Sequence, residues 1–336
     1  MLYLPKTLVA LGLGSLALIA NSLPASAQEA GSASKTPAMD WREKLGTFRV
    51  GIIGGNRPIL ESRRMQPFKE ALQKELGVPV EVFAASDYKV LIEAHRSGRI
   101  EYAIYSASAF SAGWLLCKCI EPLVSPVAAD GATGFRSILL SSNKHTASLS
   151  SLKGKTIVIP GRKSFSGYLL PRGQLALDGV DIENAEWKIA DSGNAINAIA
   201  DLEGKNAAGV FGWEPYYGNS KLSLKQVKGT RALMIAKLGA GASEYPTLWQ
   251  SSPISHGPHA VRKSLDGKVK ALLAKFMINL NQRNFEAYGA VEPNFSGGFR
   301  EVTISHYQSV IDLLRTGNNA KKASLPDNFG ENKKTP

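Results

Sequence analysis

Three apolar runs spaced like the strands of βαβ units constrain this chain more than any other feature. TFRVGII, VPVEVFAA and EYAIYSA are short and rich in β-branched and aromatic residues, as buried strands are. Between them the period changes. Met65–Leu76 sets Phe68, Leu72 and Leu76 four apart, and DYKVLIEAHRSGRI puts Val90, Leu91 and Ala94 on one face before Gly98. Both patterns predict helices. Gly54, Gly55 and Pro58 break the loop GGNRP, and AFSAGWLLC reads as a further helix. Strand and helix alternating at this rhythm predict a parallel sheet covered on both faces.

A second unit of the same kind begins near GFRSILLSSN. TIVI and WKIADS read as strands, the stretch to Leu177 and Asn194–Leu202 as helices, and NAAGVFGWEP as a strand plus loop. RALMIAKL reads as a further strand, LWQSSPISHGPHAVRKSL as a crossover back to the first unit, and Gly267–Asn281 and Thr303–Leu314 as closing helices. The expected architecture is α/β, with two doubly wound lobes, a hinge and an interlobe cleft. Lobe 1 takes 47–136 plus 250–316, and lobe 2, inserted into it, takes 137–249. Ligands in open α/β sheets bind beyond the carboxyl ends of the strands, so two facing lobes would offer two such ends to one cleft.

The N-terminus predicts export. Lys6, the apolar run Leu8–Ala20 and the small residues Ala25-Ser26-Ala27 form a secretory signal peptide over 1–27, with cleavage after Ala27. The run is shorter than the roughly 20 residues a membrane span needs, and no Cys follows it for lipid attachment. Residues 28–46 read as a flexible lead-in and 317–336 as a flexible basic tail. The expected product is a soluble periplasmic monomer that is not embedded in the membrane.

The 40 Lys plus Arg against 28 Asp plus Glu leave a net charge of +12, spread along the chain rather than gathered in a tract. With no zinc-finger spacing, basic heptad helix or aromatic-basic sheet motif, nucleic acid is not an expected partner. Small anions suit the same charge. Cys117 and Cys119 stand two apart, where a bridge needs a small, strained ring; partly buried thiols are expected. His256 and His259 in HGPH flank a Gly-Pro loop without an acidic cluster, so neither a metal nor a cofactor is expected. The chain has no nucleophile elbow, Walker loop or HExxH motif, and it is not expected to be an enzyme.

The stretch GRKSFSGYLLP, Gly161 to Pro171, joins a strand to a helix. Its bland reading is a helix start, because Ser is a good N-cap. Its functional reading is a seat for an anion, because N–H groups at a helix start lack intrahelical partners and the dipole favours negative charge. Ser164 and Ser166 would add hydroxyls and Gly167 room for close approach, with Phe165 in the same loop and Arg162 and Lys163 as solvated neighbours that raise the local potential. From the residues alone both readings stay open. Asn56 and Arg57, just after the first strand, and Ser106 and Ser108, ending the third, stand where lobe-1 contacts to the same ligand would come from. Turn chemistry explains Asn56 nearly as well, and isolated serines at a strand end are more often plain loop residues.

Four stretches resemble the phosphate/phosphite/phosphonate-type periplasmic substrate-binding proteins of ABC transporters. They are DYKVLIEAHRSGRIEYAIYSASAF, LSSLKGKTIVIPGRKSFSGYLLPRGQLALDGVD, GVFGWEP and SSPISHGPHAVRKSLDGKVKALLAKFMINL, covering about Phe48 to Leu314 in family order. The resemblance implies a type II periplasmic binding protein fold that closes on a small oxyanion and delivers it to an ABC importer. It implies that Tyr88 reaches the anion from lobe 1, that the Ser164–Gly167 loop cradles it from lobe 2, and that Glu214, with Trp213, stands at a ligand-facing strand end. Phe110 departs from the family pattern, which carries a Tyr there in many relatives. Rival readings are a ligand-sensing subunit for a membrane receptor kinase, a binder of an unrelated organic anion, and an exported hydrolase or transferase.

Overall fold

The strand β1 (Phe48–Ile53) is buried over most of its length because helices cover both of its faces, with Arg49 near its start reaching out to Glu81 and Glu101. A computed structural model describes residues 40–320 apart from 147, 185–186, 205 and 219–227. The signal peptide, most of the lead-in and residues 321–336 of the basic tail therefore lie outside the described residues, while 317–320, expected to be flexible, continue the last helix. The first described element is the helix α1 (Trp41–Leu45), capped by the Asp40 side chain, so the end of the lead-in is helical rather than flexible, with Trp41 and Leu45 packed on the core. After β1 come α2 (Pro58–Arg64), α3 (Gln66–Leu76), β2 (Val80–Ala85), α4 (Tyr88–Arg96), β3 (Tyr102–Ile104), α5 (Ala107–Cys117) and β4 (Ile120–Pro126).

One face of β1 packs Phe48, Val50 and Ile52 against Phe68, Leu72 and Leu76 of α3. Each of these fully buried side chains contributes about 1.5–3 kcal/mol by leaving water. The other face meets Leu91 and Ile92 of α4, and Phe110 of α5 lies in the same cluster. Gly51 sits in mid-strand for a steric reason: a Cβ there would lie 2.4 Å from Ile100 Cδ1 and 2.6 Å from Leu91 Cδ1.

The chain then enters a second sheet through β5 (Gly134–Ser141), β6 (Thr156–Ile159), α6 (Leu170–Leu177), β7 (Lys188–Asp191), α7 (Ala195–Glu203), β8 (Gly209–Tyr216), α8 (Thr230–Leu238), β9 (Thr247–Gln250) and β10 (Ile254–Ser255). It returns through β11 (His259–Arg262), α9 (Gly267–Arg283), α10 (Phe285–Val291), β12 (Phe299–Glu301) and α11 (Gln308–Ala320). The first sheet runs β12-β4-β11-β3-β1-β2 and the second β10-β5-β8-β6-β7, with β9 also on β5. Sheet membership changes across 127–133 and again across 256–258.

Three further sequence expectations need correction. The sheets are mixed rather than parallel: β2-β1-β3 and β7-β6-β8 are parallel, but every strand next to a crossover pairs antiparallel. A chain that leaves a sheet and comes back brings its return strands in the opposite direction. RALMIAKL is the helix α8, not a strand, with Thr230 and Met234 buried four apart. Its apolar density hides the helical period, and Ala, Leu and Met are strong helix formers. The cysteines are a Cys117–Cys119 disulfide, not thiols. Lys118 between them adopts φ 50° as the cap of α5, the one non-glycine residue with positive φ among the described residues. That left-handed turn brings the flanking Cα atoms to 5.0 Å, inside the range a bridge requires.

Candidate functional site

Because β1, β2 and β3 are parallel, their carboxyl ends open on one edge of the first sheet. The Gly54 and Gly55 N–H groups both donate to the Ala85 carbonyl, at 2.7 and 3.3 Å, tying the β1 loop to the end of β2. Asn56 and Arg57 come next, both exposed, and the Arg57 guanidinium lies 3.8 Å from Glu61 on the next helical turn. Asp87 caps α4 by accepting from the Val90 N–H at 2.8 Å, and that bond holds its carboxyl below the usual carboxylate range.

The next residue, Tyr88, stacks on Tyr105 at 6.4 Å. Burial raises the pKa of its hydroxyl, while hydrogen bonds from the Ser106 side chain and backbone oppose the shift. Tyr88 and Ser106 are therefore brought together, although 18 positions apart in the chain. Ser106 also caps α5, accepting from the Ala109 N–H at 3.1 Å, and Ser108 lies half-buried in the first turn. Phe110 points the other way, fully buried between Tyr105 and Tyr307.

In the second sheet β6, β7 and β8 are parallel, and 161–171 leaves the carboxyl end of β6. Ser164 caps the turn, its Oγ accepting from the Gly167 N–H at 3.1 Å. A wide helical turn then runs over Phe165–Leu169, with the Leu169 N–H reaching back to the Ser164 carbonyl at 3.0 Å. Such wide turns occur at functional sites. The N–H groups of Phe165 and Ser166 open the turn, where a helical segment offers no internal acceptor.

Three contacts fix the turn in place. Gly167 lies so close to Pro160 that a Cβ would stand 2.2 Å from the ring Cγ. The Ser137 hydroxyl donates to the Ser166 carbonyl and also approaches the Gly212 carbonyl at 3.2 Å. The Phe165 ring packs against Phe135 at 6.4 Å, beside the cluster of Leu170, Ile254 and Val310. Phe165 thus offers a backbone N–H, not its ring. Arg162 is held by the Tyr168 hydroxyl at 2.8 Å and Glu183 at 3.0 Å. Ser137 is a supporting residue that sequence reasoning missed; its signal is a serine immediately before the apolar Ile138–Leu140 of β5.

The chain matches the family described as ABC transporter, phosphonate, periplasmic substrate-binding protein over residues 51–307. It belongs to that family. It is 25% identical over 237 residues to a phosphate-import protein of Mycolicibacterium smegmatis, covering 67% of this chain and 70% of that one. It is 26% identical over 244 residues to a phosphonates-binding periplasmic protein of Escherichia coli, covering 70% and 67%. A Xanthomonas citri protein solved with ATP shares its fold at a TM-score of 0.52 and 17% identity, covering 82% of this chain and all of that one. This periplasmic binding protein family is a substrate-binding component of transporters rather than an enzyme family. Among the described residues no helix is long and apolar enough to cross a membrane.

Within this binding-protein fold, Trp213 and Glu214 part company. The parallel pairing of β6 and β8 ends at Val158 and Val210, so both residues lie beyond the carboxyl end of β6. Successive strand residues face opposite sides. Trp213 shares the face of Phe211, which packs with Tyr168 of the wide turn, and its cross-strand partner is Ser137. Glu214 takes the other face, opposite Arg136, whose guanidinium lies 4.7 Å over the Tyr216 ring. Trp213 is therefore on the side of the Ser164–Gly167 turn and Glu214 is not.

Proposed function

We propose that this periplasmic binding protein captures a small phosphorus oxyanion, of phosphonate, phosphate or phosphite class, and passes it to the permease of an ABC importer. The observation that carries the reading is the Ser164–Gly167 turn, held from three sides with the Phe165 and Ser166 N–H groups at its start. A phosphoryl oxygen suits that donor set, since charge-assisted bonds to backbone N–H groups are short and strong. Tyr88 and Ser106 at the carboxyl edge of the first sheet would supply hydroxyl donors from the other side. Asn56, Arg57 and Ser108 would line its rim, and the Trp213 ring would wall the turn. The phosphate-import and phosphonates-binding relatives support this ligand class.

In this reading the molecule works by binding and closure, without catalysis. The crossovers at 127–133 and 256–258 act as the hinge between a lobe built on the first sheet and one built on the second. A ligand held from both sides favours the closed form by the difference in its affinity for the two forms, and by no more than that. The protein would reach the periplasm as a monomer after cleavage behind Ala27.

The test is calorimetric titration of the mature chain, freed of co-purified ligand, with phosphate, phosphite, methylphosphonate, aminoethylphosphonate and sulfate. At least one phosphorus oxyanion should bind with micromolar or better affinity. Binding of none, or of sulfate alone, would overturn the assignment.

A further inference from the structure

A cavity of ≈ 480 Å³ opens beside the crossovers, lined by none of the residues assigned to the cleft. Thr133 and Tyr216 form one side, Ser255 of β10 and Arg300 of β12 another, and Ser305 and Gln308 the approach to α11. Its walls thus come from strands of both sheets. A volume in this range suits an organic ligand rather than a bare inorganic ion.

Arg300 sets the chemistry of the cavity. Its Nη2 donates to the Ser255 hydroxyl at 2.6 Å, while its Nε is shut off from solvent without a hydrogen-bond partner. Burial pulls the guanidinium pKa down, and the groups that oppose this are the phenols Tyr307 and Tyr216, not a carboxylate. Asp312, also on the cavity wall, is engaged by Arg315 at 3.0 Å and by the Gln308 amide at 2.9 Å. His306 adds no charge at neutral pH, because burial and then the Arg300 charge disfavour its protonation. Among the described residues no carboxylate pairs with Arg300; a half-buried cation left so is unfavourable, and the planar guanidinium fork matches a carboxylate or phosphate.

We propose that the hinge cavity is a second binding site, for an organic anion carrying a phosphate or carboxylate group, with Arg300 as its charge partner. It is separate from the cleft and does not depend on the cleft's ligand.

The experiment titrates the mature, ligand-free chain with ribose 5-phosphate and with citrate, the two arms separating phosphate from carboxylate chemistry. The same titrations are run on Ser164→Ala/Ser166→Ala, on Arg300→Gln and on Ser305→Asp. At least one probe should bind, keep its affinity in the serine pair, and weaken at least about tenfold in Arg300→Gln. Ser305 is exposed, so Ser305→Asp places a carboxylate at the cavity without disturbing the core, and it should weaken the same probe comparably. Three results would sink the proposal: neither probe binds, binding is unchanged in Ser305→Asp, or binding is lost in the serine pair. Methylphosphonate titrated into the same proteins reads the cleft separately, so failure of one site is not mistaken for failure of the other.

Discussion

The two walls proposed for the cleft are built in different ways. The first-sheet wall is made of side chains over aromatic rings: Tyr88 rests on Tyr105, which stacks on His95 at 5.9 Å and bonds its Nδ1 at 3.1 Å. The second-sheet wall is made of backbone, a wide turn clamped by Pro160, Ser137 and the Phe165 ring. Backbone N–H groups cannot tell one oxyanion from another by size or substituent, whereas a positioned phenol and hydroxyl can. The second wall is accordingly suited to anchoring charge and the first to discriminating among anions.

Acid should break the comparison most strongly, because it acts on one side only. Burial depresses His95 to about 3 and His256 to about 4, both on or beside the first sheet, while His145 on the second is exposed. A histidine whose folded pKa lies below its unfolded value of about 6.5 gives full stability above that value. The stability is lost as pH falls from there toward the folded pKa, at about 1.4 kcal/mol per pH unit for each histidine. Denaturant unfolding should therefore show a loss of about 3–4 kcal/mol between pH 7.5 and 5. Hydrogen exchange should report it first around Tyr105. A flat profile would mean that these imidazoles are not buried and neutral.

Next in size is Gly167→Ala, which forces a Cβ onto the Pro160 ring. Overpacking of this kind costs about 1–3 kcal/mol, and it should displace the turn and lower oxyanion affinity by about a hundredfold in calorimetry. Unchanged affinity would remove the turn from the site. Ser164→Ala with Ser166→Ala should weaken binding by about 1–3 kcal/mol, and a loss confined to thermal stability would leave the two serines as caps alone. Smallest is Tyr88→Phe, expected to cost about 1 kcal/mol. Its signature is selectivity: the ratio of methylphosphonate to phosphate affinity should move in Tyr88→Phe and stay constant in the serine pair. The opposite pattern would exchange the roles of the two walls.

Much of the first sheet was legible in the residues. Short β-branched runs separated by four-spaced apolar stripes have few other solutions, and Asp87, Ser106 and Ser164 are caps where a helix start was expected. RALMIAKL was not legible, because an apolar run of that length fits a strand as well as a half-buried helix. The disulfide was hidden for a different reason. Sequence spacing gives the size of the ring but not the left-handed turn at Lys118 that closes it. The wide turn after Ser164 and the Ser137 hydroxyl beneath it were equally out of reach, since the two residues belong to different strands' surroundings.

The sequence by itself determined the alternation of strand and helix, the positions of the caps and the family to which the chain belongs. All three depend on residues close together along the chain, where period and spacing speak directly. Only the tertiary structure decided that Phe110 and the Phe165 ring turn inward, and that Trp213 and Glu214 face opposite sides of one strand. It alone placed Arg300 beside the crossovers with no carboxylate partner among the described residues. Those outcomes depend on which distant surfaces meet, and sheet pairing across the two crossovers fixes that, not local spacing.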